Sequence, residues 1–111
     1  MKGCFLMKTN MFLKARNGDY DAHAVYDDGI ITVIPGSKIR LEFANYIKGG
    51  KKALSYRNNP AFVNDRGIVI KDCVFSGAST AAQFVTGQST NGLLAWHIDQ
   101  KTSLKKWLGN R

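Results

Sequence analysis

The sequence predicts an α+β fold: an N-terminal antiparallel three-stranded meander, short helices packed on it, and a closing C-terminal strand or helix. Three observations predict it. Tyr20, Ala22, Ala24 and Tyr26 alternate with Asp19, Asp21, His23 and Val25, the period of a half-buried strand. Asp28-Gly29 stands between that run and the next, a two-residue hairpin signal because a type I′ turn needs positive φ at both central positions. Further on, Ala78, Ala81, Ala82 and Val85 fall at i, i+3, i+4 and i+7, one stripe of an α-helix.

Taken in order, Met11 to Arg16 is the first strand and ends at Asn17-Gly18; Ile30 to Ile34 is the third and stops at Pro35-Gly36-Ser37. Ile39 to Tyr46 suits either strand or helix. Gly49-Gly50-Lys51-Lys52 reads as a basic loop leading into a short helix, Ala53 to Asn58. Asn59-Pro60 breaks that helix, with Pro60 suited to the first position of a second turn that Gly67 ends. Ile68 to Lys71 reads as a short strand. Ser76 or Gly77 is the expected N-cap of the alanine-striped helix, Ser79, Gln83 and Thr86 its polar face, and Gly87 its left-handed stop. Asn91-Gly92 reads as a turn into an extended segment in which Leu94, Trp96 and Ile98 share a face. Leu104, Trp107 and Leu108, at helical spacing, predict a short C-terminal helix.

A chain of 111 residues, 44% apolar and 22% charged, is enough for one core without metal or disulfide support. Residues 1–11 read as a flexible lead, with Met7 and Met11 as alternative starts, and residues 12–111 as a single domain. No apolar run approaches the roughly 20 residues of a membrane span, and the Phe5-Leu6-Met7 stretch is too short for a signal peptide. Cys4 and Cys73 form no CxxC pair. A reduced, buried Cys73 is expected, and with it a cytoplasmic protein.

Charge is the strongest compositional signal. Sixteen Lys and Arg against eight Asp and Glu give +8, with a pI near 9.7. Lys38, Arg40, Lys48, Lys51, Lys52 and Arg57 occur against Glu42 alone, while Asp19, Asp21, Asp27 and Asp28 gather elsewhere. Clustered cations beside a polyanion release counterions and bind it salt-dependently.

Phe75-Ser76, Ser79, Ala81-Ala82, Gly87, Asn91-Gly92 and Trp96 resemble the signature of domain-of-unknown-function family 4357, and Gly36-Ser37 after Ile34-Pro35 resembles its front half. A related pattern occurs in the RAMA domain, associated with restriction enzymes and adenine methylases. The resemblance implies an accessory module in DNA transactions or phage defence, with recognition of modified DNA suspected. Gly77 and Ala78 replace the pattern's Ser-Pro, and Leu93 stands where its first tryptophan is expected.

No catalytic constellation emerges. Asp19, Asp21 and His23 share a strand face but read as its wet side rather than a metal site. Two cysteines and two histidines lack zinc spacing. His97 has no carboxylate placed to orient it as a general base, and Gly49-Gly50-Lys51-Lys52 lacks phosphate-loop spacing. No cofactor, metal or membrane partner is expected.

Two functions remain. One is a nucleic-acid-binding module. Lys38, Arg40, Lys48, Lys51, Lys52 and Arg57 would meet phosphates, Tyr46, Tyr56 and Trp96 would stack on bases, and Asn91 would offer its amide to adenine. The other is a protein-interaction module that docks an acidic or larger partner, using an exposed edge strand of the meander.

Overall fold

A computed structural model describes residues 8–42, 51–88 and 90–109. Ten elements follow one another: β1 (Lys8–Lys14), β2 (Asp21–Asp27), β3 (Ile30–Val33), α1 (Lys51–Arg57), β4 (Cys73–Phe75), α2 (Ala78–Thr86), α3 (Gly92–Ala95), β5 (His97–Asp99), β6 (Thr102–Ser103) and α4 (Leu104–Gly109). The strands form one antiparallel sheet in the order β4-β3-β2-β1-β5-β6. The fold is therefore α+β, and the predicted meander forms the middle of a six-stranded sheet. β1 begins at Lys8, earlier than the sequence pattern suggests.

The period-two pattern acts as expected. Met11 and Leu13, Ala22 and Ala24, and Ile31 and Val33 are buried beneath the helices, together with Cys73, Phe75, Ala81, Ala82, Phe84, Val85 and Trp96. Asp28 (φ 49°) and Gly29 (φ 93°) both adopt the positive φ that the β2–β3 turn requires. Ser37 ends the meander. Its buried hydroxyl donates to His23 O at 3.1 Å and accepts from His23 N at 3.0 Å, taking the place of one more residue of ladder.

Four local readings need correction or a choice between alternatives. Ile68 to Lys71 forms no strand: Ile68 and Val69 make single bridges to Lys38 and Val63, and Val69 bonds the 36–37 loop. The strand is Cys73–Phe75 instead. Ile39 to Glu42 is irregular because its amides leave any ladder, Ile39 N–H going to Gly67 O and Arg40 N–H to Val85 O; the remainder of that predicted segment lies outside the described residues. Of the two expected N-caps of α2, Gly77 takes the position, with no side-chain bond. Thr86, expected on the polar face of α2, is buried, its hydroxyl held by Gln88 O and the Thr90 hydroxyl.

A fifth difference shapes the molecule more. Asn91-Gly92 opens a helical turn, α3, where an extended segment was expected. Asn91 Oδ1 accepts from Leu93 N at 3.1 Å, an N-cap bond. Gly92 packs so closely on α2 that a Cβ there would stand 2.1 Å from the Ala78 carbonyl. Ser79 Oγ accepts from Gly92 N, and Trp96 Nε1 donates to Ala78 O at 3.2 Å. Asn-Gly suits a hairpin or a cap equally well locally, so the tertiary contact decides.

Neither side of the meander is a free edge along its length. β4 covers β3, and β5 joins β1 at Phe12↔His97. The outer edge of β4 is closed by Tyr56, whose hydroxyl accepts from Val74 N at 3.1 Å and donates to Val74 O at 3.4 Å. The exposed edge strand expected in the meander is thus covered by β4 on one side and met by β5 on the other. No helix of the described residues is long and apolar enough to cross a membrane.

Candidate functional site

The C-terminal end of α2 gathers the chemistry. Three of its last carbonyls are claimed: Gln83 O by Gly87 N, Phe84 O by Arg57 Nε at 2.9 Å, and Val85 O by Arg40 N at 2.9 Å. Gly87 (φ 73°) reverses the chain where a Cβ would meet Glu42 O at 2.0 Å. Cations at this end complement the helix dipole. Burial, and secondarily the neighbouring Arg40, pull the Arg57 guanidinium down to about 10. Arg57 is thus first a structural cation.

The other predicted contacts divide among several places. Lys38 Nζ donates to Gly18 O at 2.9 Å, beside the β1–β2 turn. Arg40 and Arg57 line a cavity of about 220 Å³ with Leu41 and Leu54, and Arg40 faces Glu42 at 3.6 Å. Lys51 and Lys52 are exposed on α1, Lys52 Nζ lying 5.8 Å from the Tyr56 ring centre. Lys48 and Tyr46 lie outside the described residues.

One stacking candidate is corrected, and a second has much of its ring engaged. Trp96 is fully buried. Tyr56 packs edge-on against Phe62, Phe75 and Phe84 with ring centres 4.9, 5.2 and 6.0 Å away, and its hydroxyl is engaged by β4. Asn91 is exposed and has its side-chain oxygen in the α3 cap, accepting from Leu93 N.

The wider groove was not expected. About 790 Å³ in volume, it is lined by Phe12, Leu13, Lys14, Ala15, Arg16, Tyr20, Thr86, Gln88, Thr90, Ala95, His97 and Gln100. None of these is acidic. Asp21, which stands opposite Lys14 in register, is paired with His23 Nε2 at 3.4 Å. His97 Nδ1 lies 2.8 Å from Ala95 O, so that bond holds the ring, and its centre is 6.2 Å from that of Phe12.

The helical turn of α3 creates this groove. Asp21 directs its N–H and C=O to Lys38, and His23 C=O accepts from Ile34 N–H, both away from β1. Phe12 and Lys14, their register partners, therefore turn their own peptide groups away from β2. Phe12 meets His97 there. Two residues further, the same register would set Ala95 against Lys14, but Ala95 belongs to α3. The Lys14 amide and carbonyl are left facing the groove.

Sequence reasoning missed Lys14, Arg16, His97 and Gln88 because none belongs to a charge run. The signal was present in two parts: Phe12, Lys14 and Arg16 alternate with the buried Met11 and Leu13, and Asn91 is a good N-cap residue. Among the described residues, no group of three or more His, Cys, Asp and Glu side chains is arranged to hold a metal.

Fold and groove together define a small α+β domain with a basic slot at the uncovered end of a central strand. The model of the family described as a domain of unknown function (DUF4357) matches residues 11–108. The chain belongs to that family. No curated protein and no solved structure matches it.

Proposed function

We propose that this domain is a non-catalytic nucleic-acid-binding module. The observation that carries the reading is the groove with Lys14, Arg16 and His97 in its walls and no acid among its lining residues, in a chain of net charge +8. Lys38 at the adjoining turn and the exposed Lys51 and Lys52 of α1 extend the positive potential beyond it. These cations position a phosphate backbone, while sequence or modification preference would come from the groove. The resemblance to the RAMA pattern favours a role beside restriction or phage-defence effectors.

Binding measured by fluorescence anisotropy should weaken steeply from about 50 to 200 mM salt. A Lys51→Glu/Lys52→Glu pair should reduce affinity for every sequence alike without changing Tm. Absence of binding to any DNA or RNA at low salt refutes the reading. Adenine-methylated against plain duplex tests modification preference.

Protein docking has one observation of its own. Leu41 is 68% and Leu54 40% exposed, and both line the cavity that holds Arg40 and Arg57. An apolar partner surface with acidic residues at its rim would suit that cavity.

A further inference from the structure

We propose that the groove at the uncovered end of β1 accepts one unpaired nucleotide of a nucleic-acid strand; this deepens, and rests on, the nucleic-acid reading above. Four features point the same way. The groove's volume, about 790 Å³, falls in the range of about 300–1,000 Å³ typical of pockets that enclose a small organic ligand. The half-buried Phe12 and His97 rings lie side by side at its rim, 6.2 Å apart and tilted by 31°. They offer the flat apolar surface on which an unpaired base stacks.

The third feature is the Lys14 peptide. By register its N–H and C=O point away from β2 toward the groove, where β5 pairs with β1 at Phe12 and not at Lys14. A donor and an acceptor on one edge match the paired donor and acceptor of a base edge, which is available only when that base is unpaired. Gln88 and Gln100 add side-chain amides nearby. The fourth is charge: Lys14 and Arg16 carry the only full charges in the lining, and both are positive. A nucleotide brings its own phosphates to meet them.

An extended peptide is the rival occupant, since a sheet edge also accepts a strand. The uncovered edge is short, however. It offers Lys14 alone before the chain turns at Ala15–Tyr20, closed by Ala15 N–H to Tyr20 O at 2.9 Å. One residue of ladder gives little hold on a peptide, whereas stacking contributes about 1–3 kcal/mol per base.

The test compares four probes at about 150 mM salt, where phosphate contacts alone bind weakly: a paired duplex, the same duplex with one bulged nucleotide, an oligothymidylate of about a dozen residues, and a free mononucleotide as competitor. The bulged and single-stranded probes should bind at least about tenfold tighter than the duplex. His97→Ala and Phe12→Ala should each lose about five- to tenfold on those probes, a larger loss than either shows on the duplex. The Lys14 amide resonance should shift on adding oligothymidylate, which keeps the proposal testable if Phe12→Ala folds poorly. Competition by the mononucleotide at millimolar concentration would show that the isolated unit suffices; its failure alongside a tight bulge would assign the site to strands.

Equal affinity for duplex and bulge, with no loss in either variant, overturns the proposal and leaves the nucleic-acid reading standing. No binding to any probe at low salt overturns both. A Lys14 shift caused by an extended peptide and by none of the oligonucleotides would identify a strand-addition slot instead.

Discussion

The two ends of helix α2 use similar residue types for opposite purposes. At the N-terminal end, Ser79, Asn91, Gly92 and Trp96 bond to backbone around the buried Gly92 and Trp96: Trp96 Nε1 on Ala78 O, Ser79 Oγ on Gly92 N, and Asn91 on its own helix. At the C-terminal end, Arg40 and Arg57 take up the helix carbonyls, Thr86, Gln88 and Thr90 form a hydroxyl-rich wall, and a groove opens beyond them. The family signature falls mostly on the first end. Those residues form a clasp between α2 and α3, and the groove lies at the other end of α2. The clasp still matters to function, because the helical turn it holds keeps a partner strand away from Lys14.

Breaking the dry end should have the largest effect. Trp96→Ala removes a fully buried indole and should cost about 3–5 kcal/mol, read by chemical denaturation. Gly92→Ala comes next. Its Cβ would stand 2.1 Å from backbone of Ala78 rather than from a yielding side chain, so about 1–3 kcal/mol should be lost. The variant sharpens the comparison if it also alters the groove, seen as loss of oligonucleotide binding in molecules that remain folded.

Cys73 reports on the same dry layer. Burial first, and the neighbouring Asp72 second, push its thiol up to about 12 from an ordinary 9. The folded state thus holds this proton more tightly than the unfolded one. Its contribution to stability is complete below pH 9 and is lost as pH rises from 9 toward 12. In a Cys4→Ser variant at pH 8, a thiol reagent should modify Cys73 only at the rate of opening. Rapid modification under native conditions would contradict a closed layer.

The smallest effect on stability should come from the wet end. Lys14 and Arg16 are exposed, so Lys14→Glu/Arg16→Glu should shift stability by no more than about 0.5 kcal/mol per site while abolishing nucleic-acid binding in a gel-shift assay. A large Tm change with binding retained would reverse the assignment of the two ends.

Much of the fold was legible because its signals are local. Period two over Tyr20 to Tyr26, positive φ at Asp28-Gly29, the alanine stripe of α2 and the glycine that ends it depend on neighbours within a few residues, and each forms as expected. The readings that failed depended on distant partners. Asn91-Gly92 is a good hairpin turn until Ala78 lies against it. Tyr56 passes for a surface ring until Phe62, Phe75 and Phe84 surround it. Thr86 looks polar and exposed until Thr90 and Gln88 take its hydroxyl. The groove was illegible for the same reason, since it is defined by a strand that is missing beside Lys14, and no run of residues announces that.

Amide chemical-shift mapping during titration with oligothymidylate separates the two ends most directly. We predict that Lys14, Arg16, Thr86, Gln88 and His97 move together while Ala78, Ser79, Asn91 and Trp96 stay in place. Shifts concentrated on Asn91 and Trp96, with Lys14 and His97 still, would contradict the account.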